Sequence, residues 1–280
     1  MNDSLPVPKR IVLTADVGLD RASYEALAEA MLAHLADETR TLASRLLAMH
    51  ALVGAAVAEY GRGTRTASPF SVWLDTMGSR AGRAWLQREV ASSGPGRPGR
   101  QRLAVGPFVS LVESRGGRGQ LLAQASPTRM AIPVARGLGT IRSTILSTVL
   151  HLPELSRIRL AQDSTELGPS IAEMTAEWLR SGALFAHPSL IRGTQYLLLF
   201  VALVRWYAAG AALAGGREEV AAGDLAQALA IVEGEFVRGD LLSQIRAQRP
   251  RTATMLDLLL DLAVRPADLA MNPYTGRTSG

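Results

Sequence analysis

The chain has no cysteine, which removes disulfide frameworks, thiol catalysis, cysteine-built zinc sites and iron–sulfur ligation together. Lysine is almost absent too: Lys9 stands alone among 30 basic residues, the rest being arginine. A Walker A loop, a kinase-type phosphate lysine and an internal Schiff-base lysine are therefore excluded beyond the first ten residues. Aromatic side chains make up only 5%, thin for a broad base-stacking platform. The four histidines are His34, His50, His151 and His187; none belongs to H-E-x-x-H and none follows a glutamate by three residues. Zincin and ferritin-like di-iron ligation are closed on that ground. With no G-x-S-x-G elbow and no S-x-x-K pair either, the sequence implies no cofactor and no metal.

What is present is ordinary globular material. The 280 residues are 48% hydrophobic and 20% charged, enough for one large domain or two small ones with a buried core. Arginine in such excess, beside abundant alanine and glycine, fits GC-rich coding; it also suits bidentate contacts to phosphate and carboxylate. The net charge of +5 is unevenly spread. Arg80, Arg83, Arg88, Arg97, Arg100, Arg102, Arg115 and Arg118 face only Glu89 and Glu113 between Gly78 and Arg118. A polyanion, nucleic acid included, or an acidic protein is expected to land on that segment.

A proline-free pattern runs from about Asp20 to Tyr60. Leu32, Thr39, Leu46, Val53 and Tyr60 lie on one heptad track, with Leu35, Leu42, Met49 and Ala56 on the other. The 4–3 spacing predicts a single helix roughly 60 Å long, whose apolar stripe needs a mate alongside. Leu32, Leu35, Leu42, Leu46, Met49 and Val53 are the expected interface, with a second copy of the chain or another protein as partner. Ser68-Pro69 opens a second helix over 70–90. The glycine–proline run Ser92–Arg102 reads as a loop, and Phe108–Ala125 as a β-hairpin around Gly116–Gly119, two short helical pieces being the alternative.

Helices are expected over 140–152, 154–162, 169–181, 188–214, 225–237, 241–248 and 252–262. Asp224 is placed as an N-cap, and Asp163 with Glu166 has capping-box spacing. The run 195–216 is long enough to span a membrane, but Arg205 sits at its middle. A helix apolar nearly all round is expected at the heart of a helical domain, so the sequence reads against a membrane span. Only the short Ile11-Val12-Leu13 run follows Lys9 and Arg10, too little for an export signal, and a cytoplasmic location is expected.

The fold class that follows is mainly α: a long N-terminal helix plus a C-terminal helical bundle, with a small β-hairpin near residues 108–125. By segment, residues 1–20 are tail and lead-in, 21–91 the long helix and a second helix, and 92–137 the basic loop and hairpin. Residues 138–271 form the helical bundle and 272–280 a polar tail.

Few constellations carry chemistry. Gly94–Gly99 matches G-x-G-x-x-G literally, yet a helix precedes it and two prolines remove donors, against the strand–turn–helix setting that the phosphate-binding pattern needs. Asp257 and Asp261 share a helix face without a second acidic cluster, and read as a wet face. Arg45…His50 is R-x4-H and Arg180…His187 is R-x6-H. This resembles the arginine–histidine motif of the HEPN-type helical ribonucleases. The resemblance implies metal-independent RNA cleavage at a dimer interface, His50 moving the 2′-hydroxyl proton and Arg45 stabilising the phosphorane. The leading class is nevertheless non-enzymatic: a scaffold or adaptor that self-associates or joins an assembly through the 21–60 helix, its basic segment on a polyanion. The ribonuclease and a sequence-independent nucleic-acid-binding protein are the alternatives.

Overall fold

Asp20 opens the first helix: its carboxylate accepts the amide of Ser23 at 2.8 Å, the bond an N-cap makes. The computed structural model describes residues 11–13, 17–60, 69–115, 128–160, 167–182, 184, 188–238 and 241–271. In chain order its elements are β1 (Ile11–Val12), β2 (Gly18–Leu19), α1 (Arg21–Leu35), α2 (Leu42–Tyr60), α3 (Phe70–Gly78), α4 (Arg80–Ser92) and α5 (Pro98–Arg115). There follow α6 (Thr128–Arg136), β3 (Thr140–Ser143), β4 (Thr148–His151), α7 (Leu152–Leu155), α8 (Leu167–Ser181), α9 (Leu190–Ala214) and α10 (Ala222–Val232). The last are α11 (Leu241–Gln248), α12 (Pro250–Leu258) and α13 (Pro266–Ala270), with π-helical turns continuing α10 over Glu233–Arg238 and α12 over Leu259–Ala263. The fold is mainly α, with two small two-stranded sheets among the described residues.

The single rod expected from Ser23 to Tyr60 does not form. The helix stops at Leu35 and restarts at Leu42. Asp37 Oδ1 takes the Thr39 amide at 3.3 Å and its hydroxyl as well, and Arg40 Nε pairs with Asp37 Oδ2 at 2.9 Å. Thr41 Oγ1 then accepts the Ser44 amide at 3.3 Å and starts the next helix. Short Asp and Thr side chains thus capture the amides that would have continued the helix. The two halves fold back on each other: Tyr24, Leu27, Met31 and Leu35 of α1 and Leu42, Leu46, Met49, Leu52 and Val53 of α2 are buried. The expected helix over 70–90 is broken likewise at Ser79, whose hydroxyl accepts the Gly82 amide at 3.2 Å. A Cβ at Gly82 would collide with the Thr76 and Met77 carbonyls.

The chain divides into two compact units, each built from two stretches of the sequence. One draws on Met1–Gly94 and Gly168–Leu198, the other on Pro95–Leu167 and Leu199–Gly280. In the first, the Tyr24 hydroxyl donates to the Leu179 carbonyl at 2.8 Å, tying α8 to α1. Burial pushes that phenol up to about 12.

In the second unit, α5 replaces the first half of the hairpin expected near 108–125; residues 116–127 lie outside the described residues. Ala104 to Glu113 are buried in an unbroken run, so the helix has no polar stripe to betray its period. Gly106 lets α6 approach: a Cβ there would sit 2.7 Å from the Ala131 carbonyl. The hairpin that does form is β3–β4, antiparallel with Ile141 opposite Leu150, in place of the helix expected over 140–152. Thr140, Ile141, Thr144, Ile145, Thr148 and Val149 are β-branched and favour a pleated surface. Glu113 of α5, only 4% exposed, holds its turn. Ser143 Oγ donates to Oε1 at 2.7 Å; the Thr144 amide (2.6 Å), the Thr144 hydroxyl (2.9 Å) and the Ile145 amide (3.3 Å) donate to Oε2.

Of the helix expected over 154–162 only Glu154 and Leu155 are helical, at the end of α7; 156–160 are not, and 161–162 lie outside the described residues. Asp224 caps from inside α10, accepting the Ala221 amide at 2.9 Å; Asp163 with Glu166 lies outside the described residues. By length and composition alone α2 and α9 are each long and apolar enough to cross a membrane, with mean hydropathy 1.3 and 1.9. The α9 window is 89% buried within the protein, and its Arg205 donates to the Ala270 and Met271 carbonyls at 2.7 Å each.

Glu113→Ala strands the buried Ser143 hydroxyl and the part-buried Thr144 and Ile145 donors at once and is expected to cost about 3 kcal/mol. Urea unfolding gives the magnitude, and hydrogen exchange should show protection lost first over residues 140–151.

Candidate functional site

Arg45 and His50 both lie on α2 in the first unit, five residues and therefore about 140° apart around the helix. They do not converge. Arg45 is 7% exposed, and its Nη1 donates to the Leu35 carbonyl at 3.0 Å, closing the C-terminal end of α1. His50 is half-buried, with Nδ1 2.8 Å from Thr194 Oγ1. That hydroxyl donates to the Ile191 carbonyl at 2.8 Å, so it accepts from histidine and assigns the ring proton to Nδ1. Burial lowers the ring to about 4, so at neutral pH it is the neutral imidazole, not an imidazolium that could act as general acid, and it is a feeble base. Arg180 is exposed on α8, and His187 lies outside the described residues.

The residues expected at an interface are occupied inside the chain. Leu35, Leu42, Leu46, Met49 and Val53 are each 3% exposed or less, and Leu32 is half-buried. The mate that the stripe required is its own other half, α1 against α2.

The basic segment is mostly helical, which corrects the loop expected over 92–102 from Pro98 onward. Arg80, Arg83 and Arg88 stand exposed on α4 in the first unit. That helix buries only Gly82 and Leu86, with Val90 half-buried, a narrow i, i+4, i+8 stripe. Arg83 donates to the Gly78 carbonyl; Arg80 and Arg88 have no ion pair among the described residues. Trp85 is 37% exposed between them. In the second unit Arg97 is exposed, while Arg100 and Arg102 are half-buried on α5. The side chain of Arg115 and the whole of Arg118 lie outside the described residues.

The glycine motif before α5 serves the fold. The Arg97 amide donates to Asp268 Oδ1 at 2.7 Å, and a Cβ at Gly96 would run into the Ala267 backbone. Asp268 is fully buried and also accepts the Arg265 amide at 2.9 Å and Arg265 Nη2 at 3.2 Å. Burial pushes its carboxyl up, but the bonds from Arg265 and Arg97 outweigh that and hold it below the usual range. Sequence reasoning passed over Asp268 and Glu113; Asp268 stood two residues after Pro266 at a helix start, a legible capping signal. Among the described residues no group of three or more His, Asp or Glu converges as metal ligands. Compared with models of known protein families, with curated proteins and with solved structures, the chain matches none.

His50 carries a testable pH dependence. The ring takes its proton near 6.5 when unfolded but only near 4 when folded, so the unfolded chain binds the extra proton in between. Stability contributed by the neutral ring is complete above about pH 6.5 and is lost as pH falls toward 4. The loss is about 2 kcal/mol after discounting for residual solvent contact. His50→Gln should flatten that limb of a urea-denaturation pH series; an unchanged slope would refute the assignment.

Proposed function

We propose that the chain is a non-catalytic helical binding protein that holds an anionic polymer, nucleic acid before all others, against the exposed face of α4. The observation that carries this reading is the arrangement Arg80, Arg83, Trp85 and Arg88. Gly82 and Leu86 turn inward, so Arg80 and Arg88 lie on the outward side, ~12 Å apart along the axis. Arg83 and Trp85 occupy the two flanks, and Glu89 is the one acidic residue on the helix.

Guanidinium groups free of carboxylate partners neutralise phosphates without reading sequence. An exposed indole beside them adds a face on which any base can stack. An acidic protein would need the arginines alone; the tryptophan favours bases.

The other readings have weaker support. Ribonuclease chemistry would require Arg45 and His50 to reach one substrate, whereas each is engaged with the backbone or hydroxyl beside it. Assembly through the 21–60 helix rested on a stripe left open for a partner, and that stripe is filled from within the chain.

Fluorescence anisotropy with a labelled mixed-sequence 20-nucleotide single strand tests the proposal. Three phosphate contacts predict that log K falls with log salt at a slope of about −2. Neutralising Arg80, Arg83 and Arg88 to glutamine together should flatten the slope and weaken binding at least tenfold. Trp85→Ala should weaken binding about tenfold with the slope unchanged. Affinity indifferent to salt or to the triple substitution would overturn the reading, as would retention by anionic vesicles but not by nucleic acid.

A further inference from the structure

Of the four tryptophans, Trp85 is placed unlike the rest. Trp178 and Trp206 are 3% and 2% exposed, and Trp73 packs against the rings of Tyr60 and Phe70, with centroids 5.9 and 5.4 Å away. Trp85 is 37% exposed and makes no ring contact among the described residues. It sits on α4, where Gly82 and Leu86 turn inward, so the indole stands at the border between the buried stripe and solvent.

Helix geometry sets its surroundings. The residues three and four positions on, Arg88 and Glu89, are its neighbours, with Cβ atoms about 5–6 Å away. Around the axis Arg88 lies about 60° to one side of Trp85 and Glu89 about 40° to the other. Helical side chains lean toward the N-terminus, which carries both of them back over the turn that holds the indole. Glu89 is the one acidic residue on α4. It is exposed and makes no ion pair among the described residues. No arginine of α4 stands three or four residues from it, the spacing an intrahelical ion pair needs. The carboxylate therefore borders the indole instead of answering a guanidinium.

We infer that Trp85 and Glu89 together select guanine in a single strand, an inference that rests on the reading of α4 as a nucleic-acid surface and adds to it a preference among bases. A base lying on the indole turns its Watson–Crick edge toward a group beside the ring. A carboxylate accepts hydrogen bonds only, through two oxygens. Guanine offers two adjacent donors, N1–H and the 2-amino group, and these match the two oxygens. Adenine and cytosine set one amino group beside a ring acceptor, and thymine sets its single N–H between two carbonyls that repel the carboxylate. Both the face and the edge of the base are needed, and a duplex covers both, so the strand must be single. Arg88, on the other side of the indole, neutralises the neighbouring phosphate.

Three labelled 20-nucleotide DNA strands serve as probes in anisotropy titrations of the full chain: all thymidine, a repeat of two thymidines and one guanosine, and the same repeat with inosine, which lacks the 2-amino group. The guanosine strand is expected to bind about fivefold more tightly than the thymidine strand, the low end for a bidentate contact because the carboxylate is exposed. The inosine strand should fall between them. Glu89→Gln is expected to move the two ends in opposite senses: the thymidine strand binds more tightly, since a repelling charge has gone, and the advantage of guanosine disappears. Trp85→Ala should weaken every strand and remove the preference with it. Equal binding of the three strands by the parent, or a Glu89→Gln variant that strengthens all three by the same factor, overturns the guanine preference and leaves the anion-binding reading of α4 standing. Failure of every strand to bind overturns both.

Discussion

In the first unit the guanidinium of Arg45 donates to the Leu35 carbonyl at 3.0 Å, and the form of the N-terminal half depends on that contact. In an unbroken helix the carbonyl of Leu35 would receive the amide of Thr39. Here Thr39 gives its amide to the Asp37 side chain, the helix ends, and the carbonyl is left needing a donor. Arg45, a residue of the second helix, supplies it. The same bond that satisfies a loose helix end therefore fastens α2 against α1, and it commits both heptad stripes to each other.

The pattern recurs in the second unit. Asp268 gathers the amides of Arg97 and Arg265 at the start of α13, and Arg205 takes two carbonyls at that helix's other end. Glu113 gathers the turn of the β3–β4 hairpin. Each is a charged side chain taken out of water, a placement tolerated only with full hydrogen bonding. In each case the partners include backbone groups that regular structure leaves open. Losing any one of them strands several groups, which is why such charges hold connections together more firmly than their number implies.

The helical class, α8, α9, α11 and the heart of the C-terminal bundle were legible because their apolar positions recur with a helical period or run unbroken over more than twenty residues. The misreadings share a cause: a local polar competitor or a uniform burial that hides the period. Thr39 lies on the heptad track, yet Asp37 two residues earlier offers its amide an alternative bond. In α5 burial on every side removed the contrast that separates helix from strand. In the Thr140–His151 run the β-branched residues outweighed a period that looked helical. Of the candidate site, the location of the charge was legible and its division was not. Which arginines face water is decided by Leu86, Gly137 and their neighbours, and those contacts are made in three dimensions.

Arginine shows the limit of reading chemistry from residue type. With a single lysine in the chain, the same side chain must close helix ends, anchor the middle of α9, rest on a glycine turn and face solvent. Its charge does not vary among these places; what varies is which acceptors the fold has already provided. Arg45 and Arg205 meet carbonyls and are structural. Arg80 and Arg88 meet water, where a guanidinium that neutralised a phosphate would displace the counterions condensed on that polymer. Arg102 lies between: removed from bulk water, held in place by a glycine turn, and given no acceptor of its own. A buried donor in that condition carries a desolvation cost that the packing of the guanidinium on the Gly137 turn has to offset.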